Sequence, residues 1–484
     1  MKLFWVLGLS CCLFILPASA QEPKLPAGLS DNNEPLLPAG LGINVQEEQS
    51  VNEPVLPFGL LDSNEQAESS NDPKRIDKHI PRLIQKELPF HLSGFWEARG
   101  GLRVVDDPNE KQHIIAETRL QLRLHKIIQN STLNLITDLI YDQIEENLPV
   151  HLNSGRGFID LREANFSFSP MHFTDIKLGR QILTWGTGDL IFINDLFPKD
   201  FNAFFIGRDE AYIKAPSDAI KFSLFSQWAH LDIVYSPQFD SDRFIDGSRV
   251  SFFSPMSGVG VGRNAVLQSS KPDNGELALR LHRKLGSYET ALYFYAGYWK
   301  SPGGINPSNG LALFPRLHVT GASIRGPVGR GIGNVEIGHY DSRDDHKGSN
   351  PLINNSEFRA LLGYEQEIAK NLSLGVQYYL EHLLDYSNYL YTLPDNFPQR
   401  DQNRHLWTTR LTFLTHNQNI TWSIFSYFSP SDMDFYLRPK VNYKINDHWI
   451  TELGGNLFGG RRDSTLFGQF QNNSNIYLSL RYGF

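Results

Sequence analysis

Cysteine is nearly absent from this chain, and the two that occur lie together at Cys11 and Cys12. Both fall inside an apolar run, residues 3–16, which Lys2 precedes and which the small residues Ala18-Ser19-Ala20 follow. A positive start, a short apolar stretch and a small-residue cleavage site are typical of a secretory signal peptide. We therefore expect the first twenty residues to be removed, which leaves a chain without a disulfide framework.

Long apolar runs are also missing, because no stretch after residue 20 reaches the length of about 20 residues that a membrane-crossing helix needs. Positive charge is scarce in residues 21–73, which carry ten acidic residues against a single lysine. The whole chain is −8, the signal segment is +1 and residues 21–73 are −9, so residues 74–484 balance to zero. A neutral body excludes the clustered positive surface of a nucleic-acid-binding protein.

What the body has instead is alternation of apolar and polar side chains with period two. In Thr118–His125, three leucines fall on one face of a strand, and arginine, glutamine and histidine fall on the other. The final stretch, 475–484, repeats the pattern. Charged side chains inside such strands would be costly in a soluble core but suit a water-filled lumen. The predicted lumen-facing residues are Arg119, Arg123, Asp138, Arg280, Glu381 and Arg481.

Eighteen candidate strands can be read from the sequence, and sixteen is the alternative count. The predicted strands are 92–104, 114–126, 131–142, 157–168, 174–184, 218–226, 229–236, 275–284, 288–299, 313–324, 331–341, 356–366, 371–382, 404–415, 419–428, 433–443, 447–457 and 475–484. Their connections alternate between short turns and long loops, as in bacterial outer-membrane barrels. A membrane-spanning sheet must close, because an open edge would leave N–H and C=O groups unpaired in hydrocarbon. The predicted fold is thus an all-β, transmembrane antiparallel β-barrel over residues 91–484, with both chain ends in the periplasm.

Two stretches resemble a known family. The ending YLSLRYGF, with Phe484 last, resembles the C-terminal signal that the barrel-assembly machinery recognises. The run LGRQILTWGTGDLIFINDLFPKDF, residues 178–201, resembles proteobacterial outer-membrane porin-like barrels related to alginate-export-type porins. The resemblance covers most of residues 90–484 and implies an outer-membrane transport protein, in some members working beside an inner-membrane exporter. It implies no catalytic residues and no substrate.

The connection 185–217 is too apolar for a solvent-exposed loop and also carries many charges. We predict that it folds into the barrel and constricts the pore. The residues assigned to this constriction are Asp189, Phe192, Asp195, Phe197, Lys199, Asp200, Arg208, Asp209 and Glu210. A plug that seals the barrel and a surface loop packed on its neighbours are the alternatives. The connection 237–274, with its SGVGVGR segment, is expected to be a flexible extracellular loop, since no strand and helix flank it as a phosphate-binding loop requires.

No arrangement of residues points to catalysis. The sequence lacks GxSxG, HExxH and paired Cys/His metal spacing. Lone histidines such as His125 and His282 are usually just hydrogen-bonded. We therefore expect a protein that is not an enzyme and has no cofactor and no metal site.

The segment 21–73 is predicted to be a disordered, acidic periplasmic tail, and 74–90 is a basic connecting segment. The tail repeats EPxLPxGL three times. The PxxP spacing of each copy favours polyproline II, which displays apolar anchors on a pre-ordered backbone. The predicted partner-binding residues are Pro23, Leu25, Pro26, Leu29, Pro35, Leu37, Pro38, Leu41, Pro54, Leu56, Pro57 and Leu60. A low-complexity spacer is the alternative reading.

Together these features predict an outer-membrane porin-like channel, or an export or uptake barrel, for a small amphipathic or apolar solute. Its expected partners are outer-membrane lipid, the barrel-assembly machinery and a periplasmic or inner-membrane transport component docked on the tail, and not nucleic acid. The alternative is a non-conducting structural or docking barrel plugged by loop 185–217.

Overall fold

The structure, a computed structural model, describes residues 90–144, 150–152, 155, 157–395 and 397–484. Eighteen long strands dominate it. In chain order they are β1 His91–Arg103, β2 His113–Ile128, β3 Ser131–Asp142, β4 Ile159–Met171, β5 Thr174–Ile182, β6 Pro216–Leu224, β7 His230–Ser236, β8 Glu276–Leu285, β9 Tyr288–Tyr298, β10 Arg316–Val328, β11 Gly331–Ser342, β12 Glu357–Ala369, β13 Leu372–Leu383, β14 Asn403–Thr415, β15 Ile420–Ser429, β16 Asp434–Lys444, β17 Trp449–Gly460 and β18 Asn475–Gly483.

Each strand pairs antiparallel with the strands before and after it in the chain, and β18 pairs with β1 to close the barrel. At this seam Phe95 lies opposite Gly483, and Arg103 lies opposite Asn475. Beyond the last strand, Phe484 exchanges two backbone hydrogen bonds of 3.0 Å with Gly94. The seam therefore uses the chain to its last residue, and no sheet edge of the eighteen strands is left unpaired.

The barrel is inverted relative to a soluble protein: apolar side chains face outward and charged side chains face inward. On β18, Leu478 is 58% exposed while its neighbour Tyr477 is buried. On β3, the inward Asp138 is 0% exposed and the outward Leu135 is exposed. Period-two alternation fixes which side of the sheet each residue occupies, so Asp138 and Leu135 lie on opposite faces.

All eighteen predicted strands are present, which confirms the predicted barrel and the count of eighteen over sixteen. The largest shift is in β10, predicted at 313–324, which continues to Val328. Gly326 and Pro327 indicate a turn from sequence alone, yet they pair with Gly333 and Ile332 of β11. The real turn is Gly329–Arg330, where Gly329 takes a φ of +58° that suits a two-residue hairpin.

The two ends of the barrel differ. One end, the turn end, carries the tight connections, and the other, the loop end, carries the long ones. The loops contain a helix at Phe201–Phe205, another at Tyr386–Thr392 and short 3-10 turns at Glu210–Ile213, Arg263–Ala265 and Gly468–Asn473. Short strand pairs also lie in the loops: Phe252–Ser254 with Val259–Val261, and Ala312–Leu313 with Ser269–Ser270 and Gly304–Ile305. Within the described ranges, no helix has the length and apolar character needed to cross a membrane.

Candidate functional site

The connection between β5 and β6, residues 183–215, lies inside the barrel and follows its wall; we call it the collar. Its first contacts are with β9, where Trp185 packs 6.2 Å from the ring of Tyr293, and its last is with β4, where Arg162 donates to the carbonyl of Lys214. Between them, residues 187–190 meet Glu336 of β11, Gln377 of β13, Arg410 of β14 and Tyr427 of β15. Residues 193 and 194 then turn back to β10 and β11, and Asp200 pairs with Arg243. Residues 204–212 meet Tyr436 of β16, Phe458 of β17, Asn475 of β18, Arg99 of β1, Glu117 of β2 and Asp138 of β3. The collar thus runs round most of the inner wall before it joins β6.

Apolar packing holds the collar against the wall. Phe204 and Phe205 are buried and pack edge-on against Tyr436, with ring centroids 5.6 and 5.5 Å apart. Phe205 also contacts Phe458 of β17 and Phe470 of the loop that follows it. Such aromatic pairs stabilise by about 0.5–1.5 kcal/mol beyond the area they bury. The aromatic residues that made this loop unsuited to solvent are therefore directed at the wall.

A single carboxylate, that of Glu336 on β11, holds the first part of the collar, residues 187–194. It is 1% exposed and accepts four hydrogen bonds: from the backbone N–H and hydroxyl of Thr187, and from the backbone N–H and side-chain amide of Asn194. The four distances lie between 2.7 and 3.0 Å. Buried carboxylates that accept several N–H groups bind strongly, so Glu336 clamps residues 187 and 194 to β11.

Two glycines on the inner wall make room for the same segment. Gly321 of β10 and Gly338 of β11 lie directly opposite each other. A Cβ atom on Gly321 would come within 1.8 Å of the Asn194 amide oxygen, and one on Gly338 within 2.7 Å of the Ile193 side chain. This close approach, rather than any unusual backbone angle, explains why both positions are glycine.

Glu210 lies at the centre of a cationic group contributed by two wall strands. Its carboxylate is 3.4 Å from Arg410 of β14, 3.5 Å from Arg438 and 3.9 Å from Lys440, both of β16. Burial disfavours the charged carboxylate, but the three cations outweigh that effect and lower the pKa of Glu210 to about 2. Arg410 also forms a two-pronged pair with Asp189, at 2.6 and 2.9 Å. The collar therefore supplies acids to a basic stretch of the wall.

The neighbouring Asp209 and Arg208 continue this network toward β18 and β2. Asp209 pairs with Arg481 at 3.0 Å, and Arg481 pairs in turn with Glu97 of β1. Arg208 pairs with Glu117 at 2.6 Å. Removing one partner of a buried ion pair leaves an uncompensated charge and costs about 3–5 kcal/mol, so the Arg208 pair with the fully buried Glu117 resists rearrangement.

Tyr212 ends the network at β3. Its hydroxyl donates to Asp138 at 2.8 Å, and Asp138 also binds Arg119 and Gln121 of β2. The Arg119 guanidinium lies 4.3 Å from the centre of the Tyr212 ring, in a cation–π contact. The structure thus brings together Arg119, Asp138 and Arg481, predicted as lumen-facing, with Arg208, Asp209 and Glu210, predicted for the loop.

The remaining predicted residues lie in separate local groups. Asp195 pairs with Lys199 at 2.9 Å, and Lys199 also lies 4.8 Å from the ring centre of Phe192. Phe197 packs edge-on against Trp185, with ring centres 4.9 Å apart. The other predicted residues also have partners. Asp200 pairs with Arg243, Arg280 with Asp232 and Glu381 with Arg400, and Arg123 donates a hydrogen bond to Gln121.

The prediction that residues 237–274 form a flexible exposed loop is wrong for its first half. Phe239 and Val250 are buried, Arg243 pairs with Asp160 of β4 at 2.8 Å, and Arg249 pairs with Asp142 of β3. The loop is held because its arginines neutralise wall acids that would otherwise be buried without a partner. Only the glycine-rich part, with the exposed Val259, behaves as the sequence indicated.

Open space remains beside the collar. Ala211 is exposed although residues on both sides of it bind the wall, and the Asp209 side chain is 32% exposed. Toward the turn end, the inward side chains of Arg123, His125 and Lys177 are partly or fully exposed. Charged and polar side chains therefore border the lumen on the turn side of the collar.

Nothing in this lumen assembles a metal centre within the described residues. The histidines considered from sequence have local partners: His125 lies 2.6 Å from Asn134, and His282 lies 3.6 Å from Asp232. The tail residues predicted to bind a partner, from Pro23 to Leu60, lie outside the described residues, as does the signal segment.

Neither a protein-family model nor a curated protein matches the chain. Solved structures do resemble it. OccAB3 of Acinetobacter baumannii is 12% identical, with a TM-score of 0.48, over 81% of this chain and 99% of that one. OccK3 (OpdO) of Pseudomonas aeruginosa is 10% identical, with a TM-score of 0.48, over 82% and 95%. The loop L8 deletion mutant of OmpT, an outer membrane protein of Vibrio cholerae, is 11% identical, with a TM-score of 0.37, over 82% and 100%. At that level the likeness assigns no function, and the relation to alginate-export-type porins stays a prediction.

Proposed function

We propose that this chain is an outer-membrane channel whose lumen is narrowed by the collar. The observation that carries the proposal is the inversion of the barrel, with leucine and isoleucine exposed on the outer face and ion pairs buried within. An apolar outer band with a polar interior suits hydrocarbon outside and water inside. Closure of the eighteen strands also suits a membrane, because it leaves no strand with unpaired backbone N–H and C=O groups facing hydrocarbon.

The path of the collar favours a narrowed channel over a sealed plug. The collar contacts most of the wall strands, as a lining does, and Ala211 and Asp209 still border open space. The alternative, a non-conducting docking barrel, is favoured by the dense ion pairing on Glu210, which would be costly to open. Conductance distinguishes the two.

The side chains beside the opening favour a small polar or amphipathic solute over a purely apolar one. The aromatic residues of the collar are turned to the wall, whereas Asp209, Lys440 and Arg481 remain partly exposed. Mixed charge at a constriction selects by orientation as well as by size. We further propose that the three EPxLPxGL copies dock a periplasmic or envelope-spanning component, since several weak motifs on one tail raise avidity.

The test is ion conductance of the purified chain in planar bilayers. The channel proposal predicts discrete openings from the intact chain and larger ones when residues 186–214 are replaced by a short glycine-serine linker. A silent intact chain whose linker variant conducts would identify the collar as a plug. If neither the intact chain nor the linker variant conducts ions, and the heat-dependent gel mobility of each shows that it is folded, the channel proposal is contradicted.

A further inference from the structure

A groove of about 540 Å³ crosses the outer face of the barrel over β9–β14. It lies on the outer face because its rim side chains point away from the lumen, among them Leu362, which is 59% exposed, and Trp407. Its volume falls within the range of about 300–1,000 Å³ that small-molecule sites occupy. Apolar and aromatic side chains line it, among them Tyr288, Ile324, Val328, Leu362, Val376 and Trp407.

Two outward-facing glycines make the floor of this groove. Gly326 of β10 and Gly333 of β11 lie opposite each other, so two adjacent positions on the surface carry no side chain. The Tyr288 ring lies over Gly326, where an added Cβ would come within 2.4 Å of it, and its hydroxyl donates to the carbonyl of Pro327 at 3.0 Å. Tyrosines with an apolar body and a hydrogen-bonded tip are typical of the membrane interface.

The groove lies toward the turn end, and the charges that face outward there are basic. Arg330 occupies the turn after β10, Lys370 the turn after β12, and both are exposed. The acids of the same strand ends, Glu289, Glu365 and Glu367, alternate to the inner face.

We propose that this groove binds an anionic phospholipid, with an acyl chain in the groove and the headgroup phosphate at Arg330 and Lys370. The proposal rests on the proposed outer-membrane location, with the turn end at the periplasmic leaflet. An apolar concave floor with a basic end fits one amphipathic anionic molecule. A second copy of the barrel would need a flat apolar face, and it would bring its own basic turns against these.

The test is native mass spectrometry of the full chain with phosphatidylglycerol or phosphatidylethanolamine added at equal concentration. We expect phosphatidylglycerol to be retained in preference, and Arg330→Glu and Lys370→Glu each to lower its retention about tenfold. Lys126→Glu is the matched control, because Lys126 faces outward opposite Leu133 at the same end of the barrel, on β2. It should leave retention unchanged.

Gly333→Leu, whose Cβ would come within 2.8 Å of the Val328 side chain and push it into the groove, should also lower retention. The heat-dependent gel mobility of each variant reports that it folds. Equal retention by all variants, equal retention of both lipids, or a dimer formed through this face would overturn the proposal. Conductance of the same samples separates the two claims. A conducting barrel that retains no lipid contradicts only the groove, and a silent barrel that retains it contradicts only the channel.

Discussion

Replacement of Glu336 by glutamine tests what holds the collar on the wall. The carboxylate accepts two hydrogen bonds on each oxygen, from Asn194 on one and from Thr187 on the other. An amide keeps one acceptor oxygen and turns an NH2 group toward the remaining two donors. The Thr187 hydroxyl can rotate to accept from that NH2 group, but the Thr187 backbone N–H is left without an acceptor. A buried donor without an acceptor costs about 1–3 kcal/mol, so this attachment weakens by about 2 kcal/mol. Because about 1.4 kcal/mol is tenfold, local opening should rise about 30-fold.

Hydrogen exchange of the folded chain in lipid nanodiscs measures that opening directly. In Glu336→Gln, amides of residues 187–195 should exchange about 30-fold faster, while strand amides of β11 keep their protection. The matched control is Glu365→Gln, an inward carboxylate on the adjacent β12 that makes no hydrogen bond to the described collar residues. It should leave collar exchange unchanged.

Unchanged exchange in Glu336→Gln would refute the reasoning, since the buried Thr187 N–H cannot lose its acceptor without cost if Glu336 holds the collar as described. Faster exchange throughout the barrel would also refute it. That outcome would mean that the carboxylate supports the sheet and not the collar.

Three further predictions follow from the packing. Gly321→Val should displace Asn194 and raise conductance about twofold or more, whereas Gly375→Val, where an added Cβ meets its nearest atoms at 3.8 Å, should not. The lowered pKa of Glu210 means that its ion pairs stabilise the collar fully above pH about 4.5 and are lost only as pH falls toward about 2. The protection factors of residues 208–213, corrected for the pH dependence of intrinsic amide exchange, should therefore match at pH 7 and pH 5 and fall below pH about 3. Leu478→Arg should lower the free energy of folding into vesicles by about 2–4 kcal/mol, as for a cation on the lipid face near the bilayer midplane, and folding titrations that show no loss would place that face in water.

The strands were predictable because their signal is local. Alternation along Thr118–His125 already states which side chains meet hydrocarbon and which meet the lumen, and the turn lengths order the hairpins. The collar was predictable in kind, since so many apolar residues in one long connection need burial.

The partners inside the lumen were not predictable. Arg208 and Glu117 are 91 residues apart, and Arg410 and Asp189 are 221 apart. Alternation with period two predicts which face of the sheet a residue occupies. It does not predict how far along the barrel axis the residue lies, or which residues of other strands or loops face it across the lumen. For the same reason, the sequence did not indicate that Arg243 and Arg249 would pair with acidic residues of the barrel wall and so hold their loop in place. The absence of a side chain at Gly321 and at Gly338 is a weak sign that another segment packs close to the wall there. That sign can be interpreted only once β10 and β11 are known to pair with these two glycines opposite each other.

The most direct test of the channel is thiol block at Ala211. Produced without its first twenty residues, the chain has no cysteine, so Ala211→Cys supplies a single thiol beside the opening left by the collar. Single-channel current is recorded before and after a charged methanethiosulfonate reagent, with the unmodified chain as control. The account predicts that current through Ala211→Cys falls stepwise on modification and recovers with reductant, while the control is unaffected. A current that persists unchanged after complete modification would contradict passage beside the collar.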